Sequence, residues 1–541
     1  MFRNKKNTKI ENIYNNTFKI FILIALLYFV GNLIYWKIET PIFPLGPSAI
    51  HFFDIFSNKL LNWNAPLITW ITKTIFYIFG TQYFDLKIIF INYIFFLIAL
   101  YFIYKTGEEL KDKETGNIAM ILFALTPAVY GMSRIYGHQD WHVMIAMTAN
   151  IYCLIKSNNF KNRKWSILYG FTVGLGLLIK DEFLPYFFIP WLYVVIKSLI
   201  QKAEKENITN ILITILIGCL LAGCHYFRTN IINKILIYET TKETTYVFSY
   251  DNFKIMTIGL SEYLLAPPMF ILFIISLICF IKQKHNNKFI ILLWIFIPWC
   301  LFTFMPQHNM PEYAIGFVPA IILIISVWIS YFKTKIFKQI ILTFIILVYL
   351  LQYIDFYGIN FKLFNLKINI NNKEILYYDK KDFINDYYGI NIKNYYDIMQ
   401  NVISKNKKSI FYIQNMSCDI LQVLYCIKNK KYKNGIITDI REVFCDNIDI
   451  PNNTIIIVIG QELFCCDILE FTYEHTYDEH KGKNKDIVIK EMTKIINKKK
   501  EYINKNFHLS QKFYLKDTKK DEHLVKIYKF NNTPQSNEGQ L

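Results

Sequence analysis

The sequence predicts an α-helical polytopic membrane protein of about eleven transmembrane helices, followed by a small C-terminal α/β extramembrane domain. Three observations predict it. Hydrophobic residues make up 53% of the 541 and aromatic residues 17%, and they are gathered in continuous blocks rather than helical stripes. Lys and Arg recur in every second connection between those blocks, as they do on the cytoplasmic side of membrane proteins. Beyond Tyr357 the composition shifts to Asn, Lys, Asp and Tyr, with no apolar run long enough to cross a bilayer.

The blocks justify themselves in order. A crossing helix needs about 20 mostly apolar residues. Phe18–Trp36, Ile208–Tyr226, Leu264–Ile281, Phe289–Met305, Tyr313–Phe332 and Ile340–Tyr357 meet or approach that length. The first follows a charged start (MFRNKKNTK) but lacks a small-residue cleavage site, so it reads as a retained span. The basic connections hold Lys105, Lys111 and Lys113; Lys156, Lys161, Arg163 and Lys164; Lys197, Lys202 and Lys205; Lys282, Lys284 and Lys288; and Lys333, Lys335 and Lys338. With the N-terminus they belong on the cytoplasmic side of an inner or plasma membrane. Residues 36–87 (the first external loop), 131–141, 180–182, 228–262 and 306–312 then lie outside.

Between residues 116 and 197 the spans are short. Gly174 and Gly176 permit close helix approach in lipid, and Pro185 and Pro190 are expected to bend or thin the helix after Lys180. The predicted domains are residues 1–357 in the membrane, residues 358–530 as an external or periplasmic α/β domain, and residues 531–541 as a tail. In the second domain, β-rich runs at 409–413, 454–459, 507–514 and 524–530 alternate with helix-like stretches at 419–428 and 486–499.

A net charge of +18 invites a nucleic-acid reading, but the basic residues sit in short connections and no reader module is present. Cys153, Cys219, Cys224, Cys279 and Cys300 lie in or beside spans and behave as small apolar residues. Cys418, Cys426, Cys445, Cys465 and Cys466 lack zinc-ligand spacing; outside the cell they could form disulfides. The segment EHTYDEH (His475, Asp478, Glu479, His480) reads as a solvated stretch rather than a metal site.

Ionisable groups beside hydrocarbon are costly and mark function by default. Four sets fall at the external level. They are Glu39, His51 and Asp54 in the first loop; Arg134, His138, Asp140 and His142; Lys180 to Glu182; and His308, Glu312 and Tyr313. Carboxylates, a few cations and aromatics at one depth suit sugar transfer from a phosphate-linked carrier. A carboxylate takes the proton of the attacking hydroxyl, and cations hold the leaving phosphate as charge builds on it. Glu39 or Asp54 is the candidate base. Asp140 is a second catalytic carboxylate, orienting the acceptor or holding a divalent metal. Arg134, Lys180, His308 and Tyr313 are the candidate phosphate-binding residues. No cofactor is implied apart from that optional metal. A lipid-linked sugar flippase, and an inactive relative with a binding role, are the alternatives.

At these residues the chain resembles the GT-C glycosyltransferases that use polyprenyl-phosphate sugars, of the protein O-mannosyltransferase and lipid A aminoarabinose transferase type. The shared pattern covers roughly residues 15–360. It comprises Asn64-Ala65-Pro66-Leu67-Ile68-Thr69-Trp70, Phe79-Gly80, the span bearing Pro127, Ser133-Arg134, Asp140 opening a span, GLGLLIK ending at Lys180, and Pro311-Glu312-Tyr313 with Pro319. The resemblance implies a hexosyl or pentosyl transferase (EC 2.4 type), inverting, with a polyprenyl-phosphate-linked sugar donor and a lipid, glycan or protein acceptor. The family's Asp-Glu pair early in the first loop, whose Asp is the base, has no counterpart here. Its slot holds Glu39 or Pro47-Ser48, with Asp54 further on, and Ala65 replaces the usual basic residue before Pro66.

Overall fold

The computed structural model describes residues 17–34, 66–80, 83–133, 139–180, 182–201, 205–229, 253, 256–257, 260–265, 267–285, 287–304 and 311–356, and beyond them residues 367–370, 373–377, 410–414, 437–439, 454–459, 501, 507–514 and 524–530. The helices and a β-hairpin fall in one compact unit, and a five-stranded sheet in a second.

The helices of the first unit are α1 (Thr17–Ile34), α2 (Pro66–Phe79), α3 (Phe84–Leu110), α4 (Lys113–Leu125), α5 (Pro127–Met132), α6 (Gln139–Lys156), α7 (Arg163–Ile179), α8 (Phe183–Ile200) and α9 (Lys205–Thr229). There follow α10 (Pro267–Lys282), α11 (Lys288–Phe304), a 3-10 turn (Pro311–Phe317), α12 (Val318–Tyr331) and α13 (Lys335–Phe356). Five described helical stretches are long and apolar enough to cross a membrane: Thr17–Ile34, Leu86–Leu110, Phe183–Ile200, Lys205–Gly223 and Tyr313–Tyr331. They differ in what covers them. Only 22% of the Thr17–Ile34 window is buried inside the protein, against 89% of Tyr313–Tyr331. The first therefore presents its apolar side chains to lipid, while α12 is the packed centre of the bundle, with α4, α10, α3 and α11 against it.

Local chemistry explains the boundaries. Pro66 starts α2, and its missing N–H is one the first helical turn does not need. The end of α2 is closed by Gly80 in the left-handed region (φ 71°) and by the Lys87 ammonium, which donates to the carbonyls of Phe79 (2.9 Å) and Gly80 (2.7 Å). Asp112 caps α4 by accepting from the Thr115 amide at 2.8 Å, and Thr115 and Lys111 both donate to Ser330 Oγ at 2.9 Å. That polar knot ties the start of α4 to the end of α12. Asn162 caps α7 by accepting from the Trp165 amide.

The glycine-assisted contact expected for α7 is present and more extensive than expected. A Cβ on Gly174 would lie 2.6 Å from Leu221 Cβ, and one on Gly170 would lie 2.6 Å from the Thr214 carbonyl. Helices α7 and α9 therefore pack backbone to backbone. Pro185 falls in the first turn of α8, where no amide is required, and the helix runs on through Pro190 to Ile200 without a break.

Strands β1 (Lys367–Ile370) and β2 (Lys373–Tyr377) form an antiparallel hairpin in the first unit. In the second unit, β3 (Ile410–Gln414), β4 (Ile437–Asp439), β5 (Thr454–Ile459), β6 (Phe507–Tyr514) and β7 (Leu524–Phe530) are ordered β4-β3-β5-β7-β6. The β3 pairings with β4 and β5 are parallel and the β7 pairings antiparallel. Parallel neighbours need a long crossover. The stretches expected to be helical, 419–428 and 486–499, lie outside the described residues.

Candidate active site

Two chain reversals build the site. Helix α7 ends at Lys180, whose amide donates back to the Gly176 carbonyl at 3.1 Å. Helix α8 starts two residues after Asp181, and Gly176 leaves room for the Phe183 ring, which would lie 2.3 Å from a Cβ there. The sharp reversal fixes Lys180 and Glu182 side by side. Helix α6 begins beside them with Asp140 in its first turn, where the helix dipole favours a negative charge.

The Lys180 ammonium lies 3.0 Å from Asp140 Oδ1 and 3.2 Å from Oδ2, and 3.2 Å from Glu182 Oε1. Only 12% of the Lys180 side chain and 9% of the Asp140 side chain are exposed, so the pair is a buried one. The ammonium also faces the Tyr313 ring, 4.8 Å from its centroid. Burial opposes the charge on Lys180, but Asp140 and Glu182 together outweigh it and hold the ammonium well above the ordinary lysine value.

Tyr313 is held in turn by groups that sequence reasoning missed. The Tyr186 hydroxyl, from α8, donates to the Tyr313 carbonyl. Phe302, from α11, stacks on the Tyr313 ring at 5.6 Å. The Trp294 indole donates to the Gly316 carbonyl at 3.0 Å. Gly316 itself sits against the Tyr186 ring, where a Cβ would approach to 2.5 Å. The 3-10 turn is therefore clamped from α8 and α11. Nothing in the sequence marks Tyr186 or Gly316 apart from their nearness to charged residues; Tyr186 meets Tyr313 across 127 positions of chain.

Of the residues singled out from the sequence, Asp140, Lys180 and Tyr313 meet at this point, together with Glu182. Glu39, Asp54, Arg134 and His308 lie outside the described residues. His142 is fully buried, with its ring edge-on to Phe95 at 4.9 Å. Ser133, just before Arg134, is fixed by Asn92, which donates to its carbonyl at 2.6 Å, and by the Tyr28 hydroxyl.

Among the described residues no group of three potential metal ligands gathers, and both Asp140 oxygens are engaged by the Lys180 ammonium. The lysine has three donors, and these contacts leave it little capacity for a further anion. A phosphate placed here would meet two carboxylates against one cation, so another cation has to share its charge.

Comparison with known proteins bears on one segment of the sequence and on the fold. Residues 64–223 match the sequence model of the dolichyl-phosphate-mannose-protein mannosyltransferase family. No curated protein matches the chain in sequence. The fold is shared with ArnT from Cupriavidus metallidurans bound to undecaprenyl phosphate, at a TM-score of 0.57 and 9% identity, over 95% of this chain and 99% of that one. The apo state of the same protein superposes at a TM-score of 0.53, over 95% and 98%. The likeness to GT-C glycosyltransferases is thus present both in a sequence segment and in the fold.

Proposed function

We propose that this protein is an inverting glycosyltransferase that moves a sugar from a polyprenyl-phosphate carrier to an acceptor hydroxyl. The observation that carries the reading is the buried Asp140–Lys180–Glu182 cluster under Tyr313, assembled from three separate segments within a fold shared with a protein bound to undecaprenyl phosphate. In this reading about eleven spans place the cluster on the external face, and residues 358–530 form an external α/β domain that helps present the acceptor.

In the proposed step, a carboxylate of the first loop, Glu39 or Asp54, accepts the proton of the acceptor hydroxyl. The oxygen attacks the anomeric carbon from the side opposite the carrier. The bond from that carbon to the phosphate oxygen breaks, and its electron pair leaves with the lipid phosphate. Asp140, kept charged and oriented by Lys180, hydrogen-bonds the incoming sugar or acceptor. Arg134 and His308 join Lys180 in sharing the phosphate charge, because Lys180 alone is already balanced by two acids. Tyr313 lines the phosphate side, its ring over the ammonium.

The test uses the full chain in membranes with a radiolabelled polyprenyl-phosphate sugar. Glu39→Gln, Asp54→Asn and Asp140→Asn are assayed singly. Loss of the base is expected to lower transfer about 10²–10⁴-fold, and Asp140→Asn by about 10²-fold or more. Full transfer in all three would remove the mechanism.

A further inference from the structure

The cluster at Asp140 lies at one end of α6, α7 and α8. At the other end of the same helices, about 27 Å away along α6, a cleft of about 970 Å³ opens between the α6–α7 turn, the last turn of α8 and the start of α11. Lys156, Lys161, Arg163, Lys164 and Lys197 line it, and Glu109 is the one carboxylate of the lining among the described residues. Glu109 is already paired with Lys156 at 2.8 Å. Lys161, Arg163 and Lys164 have no ion pair among the described residues. The cleft therefore holds a large positive excess.

Two further features distinguish it from a scatter of surface lysines. The turn that presents the charges is rigid. Asn158, Asn159 and Phe160 all take positive φ (50°, 56° and 61°), conformations that non-glycine residues avoid at about 1–2 kcal/mol each. The run is held by contacts from other helices: Ser198 Oγ on α8 donates to the Asn159 carbonyl at 3.1 Å, and Asn210 on α9 donates to the Phe160 carbonyl at 2.8 Å. Apolar surface adjoins it. Ile196, Leu199 and Ile200, on the same last turns of α8 as Lys197, are exposed, and Trp165 stands beside the charges, as aromatic residues do at a membrane–water boundary.

We propose that this cleft binds the phosphate of an anionic glycerophospholipid from the leaflet opposite the candidate active site. Lys161, Arg163 and Lys164 meet the phosphate at the N-terminus of α7, whose free amides add to the positive field. The glycerol lies beside Trp165, and the acyl chains leave the cleft over Ile196, Leu199 and Ile200. A soluble anion would use the cations but gain nothing from the exposed apolar end of α8, and this favours the lipid. The site is independent of the transfer reaction.

The test is titration of the purified full chain, in neutral detergent, with dioctanoyl phosphatidylglycerol, dioctanoyl phosphatidylcholine and inorganic phosphate. Bound lipid is read by native mass spectrometry and by the shift in Tm. Phosphatidylglycerol is expected to bind and raise Tm, and the other two are not at equal concentration. The K161Q/R163Q/K164Q variant is expected to bind phosphatidylglycerol about 100-fold more weakly, at roughly fivefold per charge, whereas K161R/K164R retains it. Should the triple variant misfold, K164Q and K197Q decide by the same measurement, each expected to weaken binding about fivefold. Unchanged affinity in the charge-removing variants overturns the proposal. So does inorganic phosphate binding as well as the lipid, or phosphatidylcholine binding equally.

Discussion

Lys180 is the residue on which the candidate site turns, because it neutralises carboxylates taken out of water. Replacing it by Met leaves Asp140 and Glu182 facing each other with no counter-charge. Breaking a buried pair in this way costs about 3–5 kcal/mol, so K180M is expected to lower Tm by several degrees as well as abolish transfer. The sign of its pH dependence follows from the raised value. The stabilisation is complete below the unfolded lysine value of 10.5 and is lost only as pH rises through the higher folded value. The Lys180 amine is therefore expected to resist acylation at pH 9 while surface lysines react. Asp140→Asn removes part of the support, and faster labelling of Lys180 in that variant is the check. Tyr186 and Gly316 act through Tyr313 rather than on substrate. Y186F removes one hydrogen bond, and G316A pushes a methyl into the Tyr186 ring. Both are expected to shift KM for the lipid-linked donor more than they shift Tm, which separates positioning from simple loss of fold.

At the scale of elements, the α7–α9 contact is the most exposed to substitution. The group nearest a Cβ at Gly170 is a backbone carbonyl, which has no rotamer to move. G170L is therefore expected to force the helices apart and abolish folding in detergent, while G170A lowers Tm by a few degrees. Overpacking costs of about 1–3 kcal/mol set that scale. Circular dichroism on heating distinguishes the two. The turn between α10 and α11 carries a pH response of its own. His285 stacks on Phe280 at 5.3 Å and meets the Tyr331 hydroxyl at 3.2 Å. Burial, together with the ammonium groups of Lys111 and Lys288, lowers its pKa below the ordinary histidine value of 6.5. The unfolded chain then takes the proton first, so the contribution of His285 is intact above 6.5 and declines as pH falls below it. H285Q is expected to reduce the loss of Tm between pH 7 and pH 5.5.

At the scale of the whole molecule, the helical bundle was legible because lipid imposes a length and a composition on each crossing. The runs around 18–36, 208–226 and 313–332 correspond to described helices for that reason. The strands at 454–459, 507–514 and 524–530 were legible from their β-branched and aromatic runs, and they are paired in the five-stranded sheet. The order of those strands was not legible, since β5 takes β3 and β7 as neighbours by pairing across long stretches of chain. A proline's effect depends on its place in the helix: Pro185 occupies a turn of α8 that needs no amide, and α8 is unbroken through Pro190.

The sequence by itself determined that this is a membrane-embedded helical protein with ionisable groups at the ends of its spans, because hydrophobic block length and charge placement are properties of the chain read in one dimension. It also picked out Asp140, Lys180 and Tyr313 as residues of interest. Only the tertiary structure decided that these three share one place, that Glu182 completes the charge around Lys180, and that Tyr186 and Gly316 hold the turn beneath Tyr313. Such partnerships depend on distances of a few ångströms between segments far apart in the chain. Folding sets those distances through close helix packing, and no local pattern of residues encodes them.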